Sequence, residues 1–176
     1  RDLHSFPTRR SSDLNLFKRI LDLSKEIGAA LPIVFLENYN MELAQILTAG
    51  VDIWLNTPIR PREASGTSGM KCVHNGVMNF SVLDGWWIEG WIEDVTGWSI
   101  GPDPKEADLV EYDEMQDALD LYNKLEEKVI PTYYNDRQRW IWMMKNTIAL
   151  NASYFNTHRV VKEYCEKAYG TVFRGH

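Results

Sequence analysis

Three features of this 176-residue chain predict an α/β fold built on an open, doubly wound parallel sheet. Short apolar runs such as Ile33-Val34-Phe35-Leu36 have the character of strands buried on both faces, as parallel strands are. Segments with apolar residues at helical spacing lie between those runs. Strand and helix alternate at the distance that βαβ units require.

The first helix is predicted over residues 16–30, where Leu16, Ile20, Leu23 and Ile27 recur at helical spacing and Gly28 suits the exit. Pro32 punctuates the chain, and residues 33–36 follow as a short buried strand. Residues 41–48 make a second helix that stops at Gly50, and residues 51–55 a second strand. A loop stiffened by Pro58 and Pro61 then delivers the chain to residues 63–71 at the carboxyl edge of the sheet, where ligands of such folds bind. A short helix over 70–75 and a strand over 79–83, ending at Asp84-Gly85, come next. Residues 112–129 read as an acidic amphipathic helix, with Met115, Ala118, Leu119, Tyr122, Leu125 and Val129 inward and Pro131 as its stop. The acidic stretch from Glu111 to Glu127 is its solvated side. Helices over 137–150 and 158–168 give the chain a helical C-terminal end.

Composition narrows the function. A hydrophobic content of 44% suits one soluble globular domain with a full core. No apolar run approaches the roughly 20 residues of a membrane span, and no secretory signal is evident. A net charge of −6 argues against nucleic acid or an anionic membrane as partner. Cys72 and Cys165 stand far apart without metal-ligand spacing, so no metal site is expected and a reducing cytoplasm fits. Residues 1–14 are Arg- and Ser-rich and aperiodic. They read as translated sequencing adapter or a disordered tail outside the fold; on the adapter reading, 15–176 is the C-terminal end of a longer chain.

The chemistry concentrates in Arg62-Glu63-Ala64-Ser65-Gly66-Thr67-Ser68-Gly69-Met70-Lys71. Amides at a helix start bind anions, and Gly66 and Gly69 allow close backbone approach. Thr67, Ser68 and Gly69 are therefore a candidate phosphate cradle, although Ser or Thr capping explains the same residues. With the helix starting at Met70, Lys71 falls in its first turn, where the dipole favours the neutral, nucleophilic amine. An anion cradle beside such a lysine suits a phosphorylated aldehyde held as a Schiff base. A P-loop is ruled out, because Met70 separates Gly69 from Lys71 and Cys72 follows.

The segment from Glu63 to Lys71, with Leu36-Glu37-Asn38-Tyr39 upstream and Asn75-Gly76 downstream, closely resembles the cofactor site of α-glucan phosphorylases. Ser81-Val82-Leu83-Asp84-Gly85-Trp86-Trp87 and Gly97-Trp98-Ser99-Ile100-Gly101 are similar to the shorter bacterial and archaeal members, and the resemblance runs from Asn15 to the C-terminus. It implies the Rossmann-like C-terminal domain of a two-domain, GT-B-type glycosyltransferase. The implied reaction is reversible phosphorolysis of an α-1,4-glucan (glycogen, starch or maltodextrin) by inorganic phosphate to α-glucose 1-phosphate. Pyridoxal 5'-phosphate would be covalent on Lys71, with Thr67, Ser68, Gly69 and Tyr39 near its phosphate, and that phosphate would act as acid and base. Glu63, with the backbone of Ala64, Ser65 and Gly66, would hold the glucosyl hydroxyls. The family's substrate-phosphate segment and its N-terminal domain have no counterpart here, so the chain alone is expected to be inactive and its parent a homo-oligomer.

Other readings compete residue by residue. Glu63 could instead pair with Arg60 or Arg62. His74, one turn after Lys71, could move protons or merely pack. Trp86, Trp87, Trp91 and Trp98 could stack on sugar, but large aromatics more often fill cores or subunit contacts. A nucleotide-sugar glycosyltransferase of the same fold carries a second carboxylate eight positions after the first. Here that position is Lys71. A non-catalytic glucan-binding remnant is the remaining alternative, and glucan binding without cofactor uptake would mark it.

Overall fold

A computed structural model describes residues 11–103 and 113–170. Residues 1–10 of the predicted tail lie outside the described residues, as do Glu111 and Tyr112, where the acidic stretch and its helix were predicted to begin. The chain divides into two compact units, Arg1–Asn40 and Met41–His176.

In the first unit, helix α1 spans Ser11–Ile27 and passes into a single 3₁₀ turn, Gly28–Ala30. The predicted strand at 33–36 is not a strand. These residues have no regular secondary structure and no ladder partner among the described residues, and Val34 is 71% exposed. They lie back along α1 instead. The Ser24 hydroxyl donates to the Ile33 carbonyl at 3.1 Å, and the Phe17 and Phe35 rings meet edge-on at 4.7 Å. An apolar run marks a strand only when a neighbouring strand satisfies its backbone.

The second unit holds the sheet. Helix α2 (Met41–Gly50) leads to β1 (Ile53–Asn56), α3 (Thr67–Val73) to β2 (Met78–Val82), and α4 (Trp87–Gly90) to β3 (Gly97–Ile100). The strands are parallel in the order β1-β2-β3, with Ile53 opposite Met78 and Asn79 opposite Gly97. Every residue of the central strand β2 is buried, as a parallel strand covered on both faces should be. Met78, Phe80 and Val82 point to one face, where Trp98, Ile100, Val129, Trp140 and Met143 complete a core. A second core of Val73, Leu83, Trp86 and Trp87 lies beside α3. Trp86, Trp87 and Trp98 are therefore core residues, and half-buried Trp91 donates its indole N–H to Glu93 at 2.8 Å.

The C-terminal helices depart from the periodicity reading in two ways. Helix α5 (Glu114–Lys124) continues through a widened π turn, Leu125–Val129, into α6 (Ile130–Asn135). Pro131 therefore does not end the helix. The wide turn just before it routes the Ile130 N–H to the Leu125 carbonyl, five residues back, which accommodates a residue with no N–H of its own.

The predicted inward face is also wrong at three positions. Met115, Leu119 and Tyr122 are exposed, whereas Asp117, Leu121, Lys124, Leu125 and Val129 turn inward. Ionic partners on the sheet side explain the rotation. Asp117 pairs with Arg60, Asp120 accepts from the Gly101 N–H at 2.7 Å, and Lys124 reaches the Ser99 carbonyl at 3.0 Å. Lys128 binds Glu93 at 3.0 Å and Asp94 at 2.9 Å. Helix α7 (Arg137–Asn146), a second π turn (Thr147–Ala152) and α8 (Thr157–Tyr164) follow close to the predicted helices.

Candidate functional site

The site is built where β1 and β2 end. The loop from β1 carries Arg60, whose guanidinium is pinned by Asp117 and donates to the Pro102 carbonyl at 3.1 Å. That anchor takes up one of the two arginines offered as partners for Glu63. Among the described residues the Glu63 carboxylate forms no ion pair, so the salt-bridge reading of Glu63 is not realised.

The backbone of the Glu63 loop is held from the turn after β2. The Glu63 N–H donates to Asp84 Oδ2 at 2.9 Å, and the Trp86 N–H donates to the Ser65 carbonyl at 2.9 Å. Gly66 then enters α3 in the left-handed conformation, φ +82°.

Helix α3 starts at Thr67, three residues before the predicted start. Lys71 consequently lies in its last turn, not its first. The expectation that placed Lys71 at a helix start is therefore not met. Gly69 owes its identity to packing. A Cβ there would sit 2.4 Å from Asn79 Oδ1 and 2.9 Å from the Trp86 indole nitrogen, and its N–H already donates to the Gly66 carbonyl at 3.1 Å.

A cavity of about 770 Å³ opens beside this helix. Ala64, Ser65, Thr67, Met70, Lys71 and His74 line one wall, Gly85, Trp86 and Glu89 another, and residues 155–160 the third. Its volume is that of a small-molecule site. The Lys71 side chain is exposed and makes no ion pair among the described residues. His74 donates from Nε2 to the Phe155 carbonyl at 3.1 Å, which ties α3 to the segment before α8 and accounts for it structurally. Arg159 is engaged by Glu163 and stacks 3.9 Å over the Tyr154 ring. Next to Lys71, the buried Cys72 thiol is pushed up to about 12 by burial, with the Lys71 charge pulling the other way.

A sequence model of the carbohydrate phosphorylase family matches residues 14–98, which include the whole Glu63–Lys71 segment. The chain belongs to the carbohydrate phosphorylase family. It is 48% identical over 161 residues to a maltodextrin phosphorylase of Thermococcus litoralis, an alignment covering 92% of this chain and 19% of the relative. A glycogen phosphorylase of Aquifex aeolicus is 40% identical over 90% of this chain and 23% of its own length. One from Mycobacterium tuberculosis is 41% identical over 78% and 16%. The chain thus spans about a fifth of the length of these curated relatives.

In this member of the phosphorylase family, Ala64, Ser65, Thr67 and Lys71 share the wall of one cavity. Half-buried Glu63, Gly66 and Ser68 stand beside these residues in the same loop and turn, and Gly69 is packed behind them. Tyr39 lies in the first unit, with its side chain exposed. Sequence reasoning passed over Asp84 and Trp86 as structural parts of the site. The only available signal was the Asp84-Gly85 turn, which says nothing of the loop bound to it.

No helix among the described residues is long and apolar enough to cross a membrane.

Proposed function

We propose that this chain is the cofactor-carrying portion of an α-1,4-glucan phosphorylase with a GT-B-type fold, acting in the cytoplasm. Residues 15–176 are assigned to that domain and residues 1–14 are left outside it, although helix α1 already begins at Ser11. The observation that carries the proposal is Lys71, an exposed amine without an ion pair among the described residues, on the wall of a roomy cavity beside Thr67.

The residues present fit pyridoxal 5'-phosphate. Lys71 offers the anchoring amine, and Thr67 and Ser68 offer hydroxyls and amides for a phosphate. Met70, Trp86 and Phe155 offer apolar surface for a ring. Gly69 contributes by letting α3 pack tightly enough to present these groups, and Tyr39 remains a further proposed phosphate neighbour. When bound, the cofactor supplies a phosphate that exchanges a proton with the glycosidic oxygen through the substrate phosphate.

The chain's own residues do the rest. The Glu63 carboxylate, which has no ion pair among the described residues, accepts from glucosyl hydroxyls, and charge assistance makes those bonds stronger than neutral ones. The amides of Ala64, Ser65 and Gly66 orient the sugar, and the tryptophan core behind them keeps the wall rigid. No pair of protein carboxylates of the glycosidase kind is required.

The decisive experiment is to treat the purified chain with pyridoxal phosphate, reduce with borohydride and map the labelled lysine. A single adduct on Lys71, absent from Lys71→Ala, is the expected result. Scattered labelling would move the test to the full-length protein, and failure to label Lys71 there as well would overturn the assignment.

A further inference from the structure

Asp84 stands at the turn after β2, 7% exposed, and its two carboxylate oxygens have separate partners. Oδ1 accepts from the Gly85 N–H at 2.9 Å, a local bond common in Asp turns. Oδ2 accepts from the Glu63 N–H at 2.9 Å, twenty-one residues away, and no local turn requires that bond.

The next two residues continue the same contact. A Cβ on Gly85 would lie 2.8 Å from the Ser65 carbonyl oxygen and 3.1 Å from Glu63 Cγ, so the loop rests directly on Gly85. The Trp86 N–H then donates to the Ser65 carbonyl at 2.9 Å, and the edge of its indole lies 3.1 Å from where a Cβ on Gly66 would be. Three consecutive residues of the turn are therefore a template for the loop from Glu63 to Gly66. Burying a carboxylate is costly unless it is well bonded, and here both oxygens accept from backbone amides.

We propose that Asp84 is a positioning residue for sugar binding: it fixes the Glu63 backbone and through it the direction of the Glu63 carboxylate. The inference rests on the reading that the Glu63 loop holds the glucosyl unit. An Asn at this position keeps the shape but has one acceptor oxygen, so its NH₂ would face one of the two amides it should accept from.

The test uses the full-length protein, as wild type, Asp84→Ala, Asp84→Asn and, as a control away from the cavity, Asp113→Ala. Phosphorolysis kinetics, cofactor bound per chain and hydrogen exchange at the Glu63 amide are measured on each. We expect both Asp84 variants to retain wild-type cofactor content, to exchange the Glu63 amide faster, and to raise KM for the glucan roughly ten- to hundredfold, the effect of losing one hydrogen bond to a charged group. The control should change none of these. A KM within twofold of wild type despite faster Glu63 exchange overturns the inference while leaving the phosphorylase reading intact. So does a loss of activity that merely follows loss of cofactor. A cofactor-loaded wild type that releases no glucose 1-phosphate sinks the phosphorylase reading itself, and the inference with it.

Discussion

Cys72 shows how one residue's surroundings set its chemistry. It is fully buried next to Lys71 in α3, and burial pushes its thiol from the ordinary 9.0 up to about 12 despite the neighbouring lysine charge. Only the thiolate alkylates, so at about pH 8 iodoacetamide should label exposed Cys165 and spare Cys72 until the chain unfolds. Labelling of Cys72 in the folded chain, read by peptide mapping, would show that α3 opens or that the thiol is wet. The sign of the pH effect follows. The unfolded thiol ionises first, so this group's contribution to stability is whole below 9.0 and declines as pH rises towards about 12.

At the scale of elements, α5 is where sequence and structure part most clearly. Its N-terminus is capped by Asp113, whose carboxylate accepts from the Met115 N–H at 2.9 Å and the Gln116 N–H at 3.3 Å. Replacing Asp113 with Ala should cost about 1 kcal/mol, measurable as a lower denaturation midpoint with an unchanged slope. A shift indistinguishable from zero would mean that water replaces the cap fully. That prediction depends only on the cap, which sequence can suggest; the helix's facing it cannot. Met115, Leu119 and Tyr122 recur at helical spacing and so point a periodicity reading the wrong way. Asp117, Asp120, Lys124 and Lys128 turn inward because Arg60, the Gly101 amide, Ser99, Glu93 and Asp94 await them. Such partners are remote in sequence, and hydropathy cannot see them. The parallel sheet was legible from the alternation of strand and helix around β1 and β2 rather than from apolar runs, since β2 carries Asn79 and Ser81 and the run at 33–36 is no strand; the Lys71 segment was legible because its residue types are unusual together. The start of α3 was not, since a left-handed Gly66 admits the chain to the helix three residues early.

At the scale of the whole molecule, the chain has to be weighed against the reaction proposed for its parent. Phosphorolysis must hold inorganic phosphate, a multiply charged anion, against the glucosyl carbon, and that needs free positive charge aimed at one point. Among the described residues, the basic side chains lining the cavity are Lys71, His74, His158 and Arg159, and most are already engaged. Lys71 is assigned to the cofactor, Arg159 is held by Glu163 and by stacking on Tyr154, and His74 is bonded to the Phe155 carbonyl. That leaves His158, a single side chain, to face a multiply charged anion. The chain also represents only 19% of the Thermococcus relative, so most of that protein's surface has no counterpart in it. We therefore expect the isolated chain, even when labelled at Lys71, to release no glucose 1-phosphate from maltodextrin and phosphate above a protein-free blank. The full-length protein should do so in proportion to phosphate. The two assays run side by side separate the elements of the site. Turnover by the chain alone would mean that Arg159 leaves Glu163 to serve the substrate phosphate. Turnover by the full-length protein alone would place the substrate-phosphate cations elsewhere in the parent.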